Sequence, residues 1–142
     1  MEQWLIFALI SAFTAALVAI FGKVGLQGVD PNTATTIRAI IMAVFLIGVV
    51  LMQGKLTQVN TILANKGAMT FIILSGIMGA VSWLAYFLAL NTGKASQVAP
   101  IDRLSVIFVI VLAALFLGEK VNTQTAIGGA LVAAGAIIIA LG

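Results

Sequence analysis

Residues 75–120 read SGIMGAVSWLAYFLALNTGKASQVAPIDRLSVIFVIVLAALFLGEK, two apolar runs joined at Asn91-Thr92-Gly93-Lys94-Ala95. A helix rises about 1.5 Å per residue, so about 20 residues cross the roughly 30 Å hydrocarbon core of a bilayer. Both runs reach that length. Asp102 and Arg103 stand near the start of the second run, charges that a purely structural membrane helix avoids. The rest of the chain repeats the long apolar run or connects it.

Composition points the same way. Of 142 residues, 63% are hydrophobic and 8% charged, with a mean hydropathy of +1.25. Soluble domains carry about 25% charged residues, and so few charges cannot clothe a water-facing surface. The bilayer is the expected solvent for most of the outside. With no cysteine and no histidine, the chain lacks a thiolate, the commonest metal ligand and the commonest general base. No span pairs two carboxylates, so an enzyme is not expected, nor is a metal or a cofactor. The pI is near 9.7, yet the basic residues form no patch that would hold nucleic acid; they suit membrane interfaces.

Outward from residues 75–120, five spans are predicted, at about 4–22, 33–52, 68–90, 96–117 and 123–141. No positive segment precedes the first, and its apolar run outlasts a signal peptide's, so it reads as a retained helix. Trp4 suits an interfacial anchor. Ser11 and Thr14 lie three apart and share a face, where each either bonds a carbonyl one turn back or meets a ligand. The loop 23–32 holds two glycines, Asp30 and Pro31, a stop and turn signal. Arg38 enters the second span, either snorkelling to headgroups or facing a polar cavity. In residues 53–67, Leu56, Val59, Ile62 and Leu63 recur at helical spacing between Lys55 and Lys66, predicting a short amphipathic interfacial helix.

The third span carries a stripe of Ser75, Gly79, Ser82 and Tyr86, with Trp83 on its edge. Such stripes serve close helix packing, but a tyrosine hydroxyl and an indole also need partners, which favours a cavity. Ser96 is the expected N-cap of the fourth span. Pro100 removes a backbone donor there, leaving a carbonyl to find another partner. Asp102 and Arg103 point about 100° apart and pair poorly with each other; Asp102 with Arg38 is the better-placed pair. In the fifth span Gly128, Gly129 and Gly135 favour close approach of another helix, within or between subunits.

An odd number of spans puts the termini on opposite sides. Lys55, Lys66 and Lys120 then face Lys23, Arg38, Lys94 and Arg103. Lysine and arginine bias sets orientation, and this balance sets none. Such a chain can insert both ways, and two opposed copies can form an antiparallel dimer.

The segment ALNTGKASQVAPIDRLSVIFVIVLAALFLGEKV, followed by GGALVAAGAIIIALG, resembles the C-terminal half of the repeat in the EamA branch of the drug/metabolite transporter superfamily. The matching features are Ala89-Leu90, Gly93, Ala95-Ser96, Pro100, Leu115 to Glu119 and Gly128 to Gly135. The resemblance implies an all-α integral membrane protein, half of a ten-helix inverted-repeat fold, in the plasma (inner) membrane of a prokaryote. The spacing of Gly128 and Gly135 is also similar to the final-helix dimerisation pattern of the small multidrug resistance proteins. Those proteins rely on a glutamate in the first span, which this chain lacks; Asp102 is its one candidate for proton coupling.

The expected function is transport of small molecules, of metabolite, amino-acid or amphiphile exporter type, by an antiparallel dual-topology homodimer through alternating access. The expected substrate contacts are Trp83, Tyr86, Ser82, Ser11, Thr14 and Arg38, with Asp102 and Arg103 in coupling or gating. The alternative is a non-transporting membrane subunit or a lipid-carrier flippase component working with a partner.

Overall fold

The computed structural model describes residues 3–142, and every regular element among them is a helix. In chain order these are α1 (Gln3–Gly25), α2 (Pro31–Met52), α3 (Leu56–Ala64), α4 (Lys66–Thr92), α5 (Ala95–Asp102), α6 (Ser105–Leu112), a π-helical turn (Ala113–Leu117) and α7 (Thr123–Leu141). Five stretches are long and apolar enough to cross a membrane: α1, α2, α4, Ala95–Leu117 and α7. The short α3 stands where the amphipathic helix was predicted.

Local chemistry sets the ends. Asp30 caps α2: its Oδ2 accepts from the Thr33 N–H at 2.7 Å and the Thr33 hydroxyl at 2.8 Å. Pro31 takes the first helical position, where no N–H is needed. Asn122 caps α7 by accepting from the Thr125 N–H at 2.7 Å, and Asn65 accepts from the Ala68 N–H at 3.1 Å at the start of α4. At the other end of α2, Gly54 adopts φ +66°, a left-handed conformation that a Cβ disfavours. The Lys55 N–H then reaches back to the Val50 carbonyl at 3.1 Å, closing the helix.

The fourth span departs from the single helix expected over 96–117. Pro100 has no N–H to offer the Ser96 carbonyl. Beyond it the bonding tightens to three-residue spacing: Arg103 N–H to Pro100, Leu104 N–H to Ile101, Val106 N–H to Arg103 and Ile107 N–H to Leu104, each 3.0 Å. The span is therefore α5, a tight turn at Arg103-Leu104, α6 and a widened π turn. Gly118, at φ +68°, ends it, and the Glu119 N–H bonds the Ala113 carbonyl at 3.2 Å. Ser96 is not the N-cap. Lys94 holds that position with extended backbone and no side-chain cap, so Ser96 lies inside the first turn.

The chain divides into two units. One contains α1 up to Val24 and everything from Thr92 onward; the other runs from Gly25 to Asn91 and contains α2, α3 and α4. In the first, α7 packs on α5 and α6. Gly129 is buried there: a Cβ on it would stand 2.9 Å from Ile110 Cδ1 and 3.5 Å from Ile107 Cδ1. Gly128, one residue earlier and about 100° around the helix, has nothing within 4 Å. In the second unit Phe87 and Leu90 of α4, with Leu26, Pro31 and Thr35, are the buried side chains. Long apolar residues such as Phe45 and Phe71 are exposed, as lipid-facing side chains must be.

Candidate functional site

Arg38 lies seven residues into α2, about 10 Å along the axis from its start. Its guanidinium carbon sits 3.6 Å from the centroid of the Trp83 ring and 5.2 Å from that of Phe87. Trp83 meets Tyr86 edge-on with centroids 5.6 Å apart and Phe87 at 5.9 Å. The aromatic face holds the cation electrostatically, worth about 0.5–2 kcal/mol according to desolvation. A charge at the centre of a membrane helix costs about 2.5–3.5 kcal/mol on insertion scales. The stack alone covers only part of that cost, so Arg38 gains from any further acceptor.

Beside this cluster α2 and α4 stand apart around a cleft of about 510 Å³. From α2 it is lined by Thr35, Thr36, Arg38 and the apolar run to Leu46; from α4 by Gly76, Gly79, Ala80, Trp83 and Leu84. Small residues on α4 make the room, and Trp83 forms one wall. The threonine hydroxyls are committed: Thr35 donates to the Pro31 carbonyl at 2.7 Å and Thr36 to the Asn32 carbonyl at 2.9 Å.

The first unit holds a second cavity, of about 560 Å³, between α1, α5 and α7. Ala12, Ala15 and Ala16 line it from α1, Pro100 and Arg103 from the broken span, and Gly135 and Ala136 from α7. Lys23 at the end of α1 donates to the Gly93 carbonyl at 2.8 Å, tying α1 to the approach of α5.

The comparisons with known proteins agree with this architecture. The EamA-like transporter family matches residues 2–141. The chain belongs to that family. A protein of Sinorhizobium sp. described as an uncharacterized transporter in the cobO 3' region is 39% identical over 140 residues, covering 99% of this chain and 98% of that relative. An uncharacterized protein of Methanocaldococcus jannaschii is 28% identical over 101 residues, 71% of each chain. No solved structure matches. An EamA-like chain with five apolar helices is an integral membrane protein of transporter type, built as half of the ten-helix inverted-repeat fold.

The residues singled out in the sequence of this EamA-like chain fall in several places. Trp83 and Arg38 come together at the cleft, and Tyr86 joins the ring cluster behind Trp83. Ser82 is exposed and is absent from the cleft wall. Thr14 spends its hydroxyl on its own helix, 2.9 Å from the Ile10 carbonyl and 3.0 Å from that of Ser11. Arg103 lines the first unit's cavity, while Asp102 is half-buried at the end of α5. Asp102 and Arg38 belong to different units; within its own unit Arg38 stacks on Trp83. Gly129 packs within the chain, Gly135 faces the first unit's cavity, and Gly128 is open. Phe87, Thr35, Gly76 and Ala80 were not singled out. The signal for Phe87 was present: it follows Trp83 by four residues, the spacing of one helix face.

Proposed function

We propose that this EamA-like chain moves small solutes across the plasma (inner) membrane of a prokaryote, as an antiparallel dual-topology homodimer working by alternating access. The observation that carries the reading is the α2–α4 cleft, where a membrane span stations a guanidinium on an indole beside an open, mainly apolar space. Charges within spanning helices are rare, and one that lines a cleft is read first as part of a substrate or ion path. Family membership supports transport in general, and the near-even lysine and arginine count on the two sides supports insertion both ways. An inverted copy would supply the second half of the pathway, with solute held between the halves near the midplane.

The test is reconstitution of the purified chain alone in liposomes, with uptake of amino acids and amphiphilic metabolites measured. Trp83→Ala or Tyr86→Ala is expected to abolish flux while the variants remain monodisperse and helical. Unchanged flux would move the pathway elsewhere. Absence of flux for every solute offered would favour a non-transporting subunit.

A further inference from the structure

We infer that the α2–α4 cleft is a receptor for a carboxylate with an apolar body, its acid group seated on the edge of the Arg38 guanidinium. The inference rests on the transport reading for its setting and adds the substrate class.

A guanidinium offers five N–H donors in a planar fork and no acceptor. Stacking on Trp83 at 3.6 Å occupies its face and leaves the fork at its edge, the geometry that meets a carboxylate with two parallel hydrogen bonds. Among the described residues of its unit, none accepts a hydrogen bond from Arg38. The unit's one acid, Asp30, has its Oδ2 committed to the backbone N–H and hydroxyl of Thr33. Every buried side-chain nitrogen or oxygen among the described residues has a partner, so the unpaired guanidinium N–H groups are reachable from outside.

The other polar groups of the cleft do not compete. Thr35 and Thr36 give their hydroxyl protons to carbonyls of their own helix. The rest of the lining is apolar, Met42, Ala43, Leu46, Ala80 and Leu84 among it, a wall for hydrocarbon. The cleft contains no carboxylate to hold an ammonium group, so a cationic amphiphile would meet Arg38 as a like charge. An acid with an aliphatic tail satisfies both halves of the wall.

The probe is built into the chain, whose tryptophans are Trp4 and Trp83. In the full-length Trp4→Phe protein in lipid nanodiscs, Trp83 is the sole indole and lies against Arg38. Its emission is titrated with 4-methylpentanoate, 4-methylpentanamide and 4-methylpentylammonium, which share a tail and differ in charge. The carboxylate is expected to give a saturable change at least tenfold tighter than the amide or the ammonium ion. Arg38→Gln on that background should bring the carboxylate down to the amide, with Arg38→Lys falling between. Equal binding of carboxylate and amide, no saturable response, or retained carboxylate preference in a folded Arg38→Gln protein would overturn the inference. The three-probe comparison in the Arg38 protein stands even where a variant fails to fold. Carboxylate preference without flux in liposomes would keep this site and remove the transport reading; flux without carboxylate preference would do the reverse.

Discussion

Gly128 and Gly129 are adjacent, equally small and equally suggestive in sequence, yet they should behave oppositely when enlarged. At Gly129 the first added carbon would stand 2.9 Å from Ile110 Cδ1 and 3.5 Å from Ile107 Cδ1, against a carbon–carbon optimum of about 3.5–4.0 Å. The nearer atom is the free end of a flexible side chain. Alanine therefore costs little, and the helix gains up to about 1 kcal/mol from losing a glycine. Valine adds two further carbons where α6 already lies, an overpacking worth about 1–3 kcal/mol. At about 1.4 kcal/mol per tenfold, that raises the unfolding constant roughly 5- to 150-fold. A Cβ at Gly128 meets nothing within 4 Å, so Gly128→Val should leave stability within about 0.5 kcal/mol. If the open face of α7 meets the second copy in the proposed dimer, the same substitution should reduce the dimer. Unfolding in mixed detergent micelles, read by circular dichroism, measures the first effect, and cross-linking in membranes measures the second. Equal destabilisation by both valines, or a silent Gly129→Val, would refute the placement of α7 against α6.

Two further outcomes follow from the helix ends and the broken span. Pro100→Ala restores an N–H for the Ser96 carbonyl and relieves up to about 3 kcal/mol of helix disruption; it should slow hydrogen exchange across residues 103–107 and lower flux, and unchanged exchange would show that the turn at Arg103-Leu104 does not depend on the proline. The hydrogen bonds from the Thr33 N–H and hydroxyl hold the Asp30 carboxyl below its ordinary value of 3.8. The charged cap is thus fully stabilising above that value and is lost as pH falls through the lowered one. Asp30→Asn, which keeps the cap oxygen without the charge, should flatten the acid limb of thermal stability between pH 7 and 3; an unaltered limb would remove Asp30 from that role.

Much of the architecture was legible because hydropathy and length report directly on what a bilayer demands of a helix. The five spans and α3 follow from it. α1 runs three residues past its expected end, and α2 and α4 start two residues early, where Asp30 with Pro31 and Asn65 with its bond to Ala68 carry the helix further back than the apolar run alone suggests. Pro100 announced a disturbance, but its position names only the missing donor. The break falls at Arg103-Leu104 because the chain redistributes its bonds over the next turn. The face of α4 was harder. The stripe read from sequence, Ser75, Gly79, Ser82 and Tyr86 with Trp83 on its edge, shares Gly79 and Trp83 with the cleft wall, which adds Gly76, Ala80 and Leu84. The stacking of Arg38 on Trp83 is a contact between helices that no spacing within one helix encodes. The same limit separates Gly128 from Gly129.

Two copies facing opposite ways in one membrane, as proposed, can be detected directly because the chain lacks cysteine. Single cysteines placed at Gln3 and, separately, at Gly142 are exposed to a membrane-impermeant maleimide in intact cells, then to a permeant one. Comparable fractions of each terminus labelled from outside and protected inside is the predicted result. One terminus wholly outside and the other wholly inside would contradict the account.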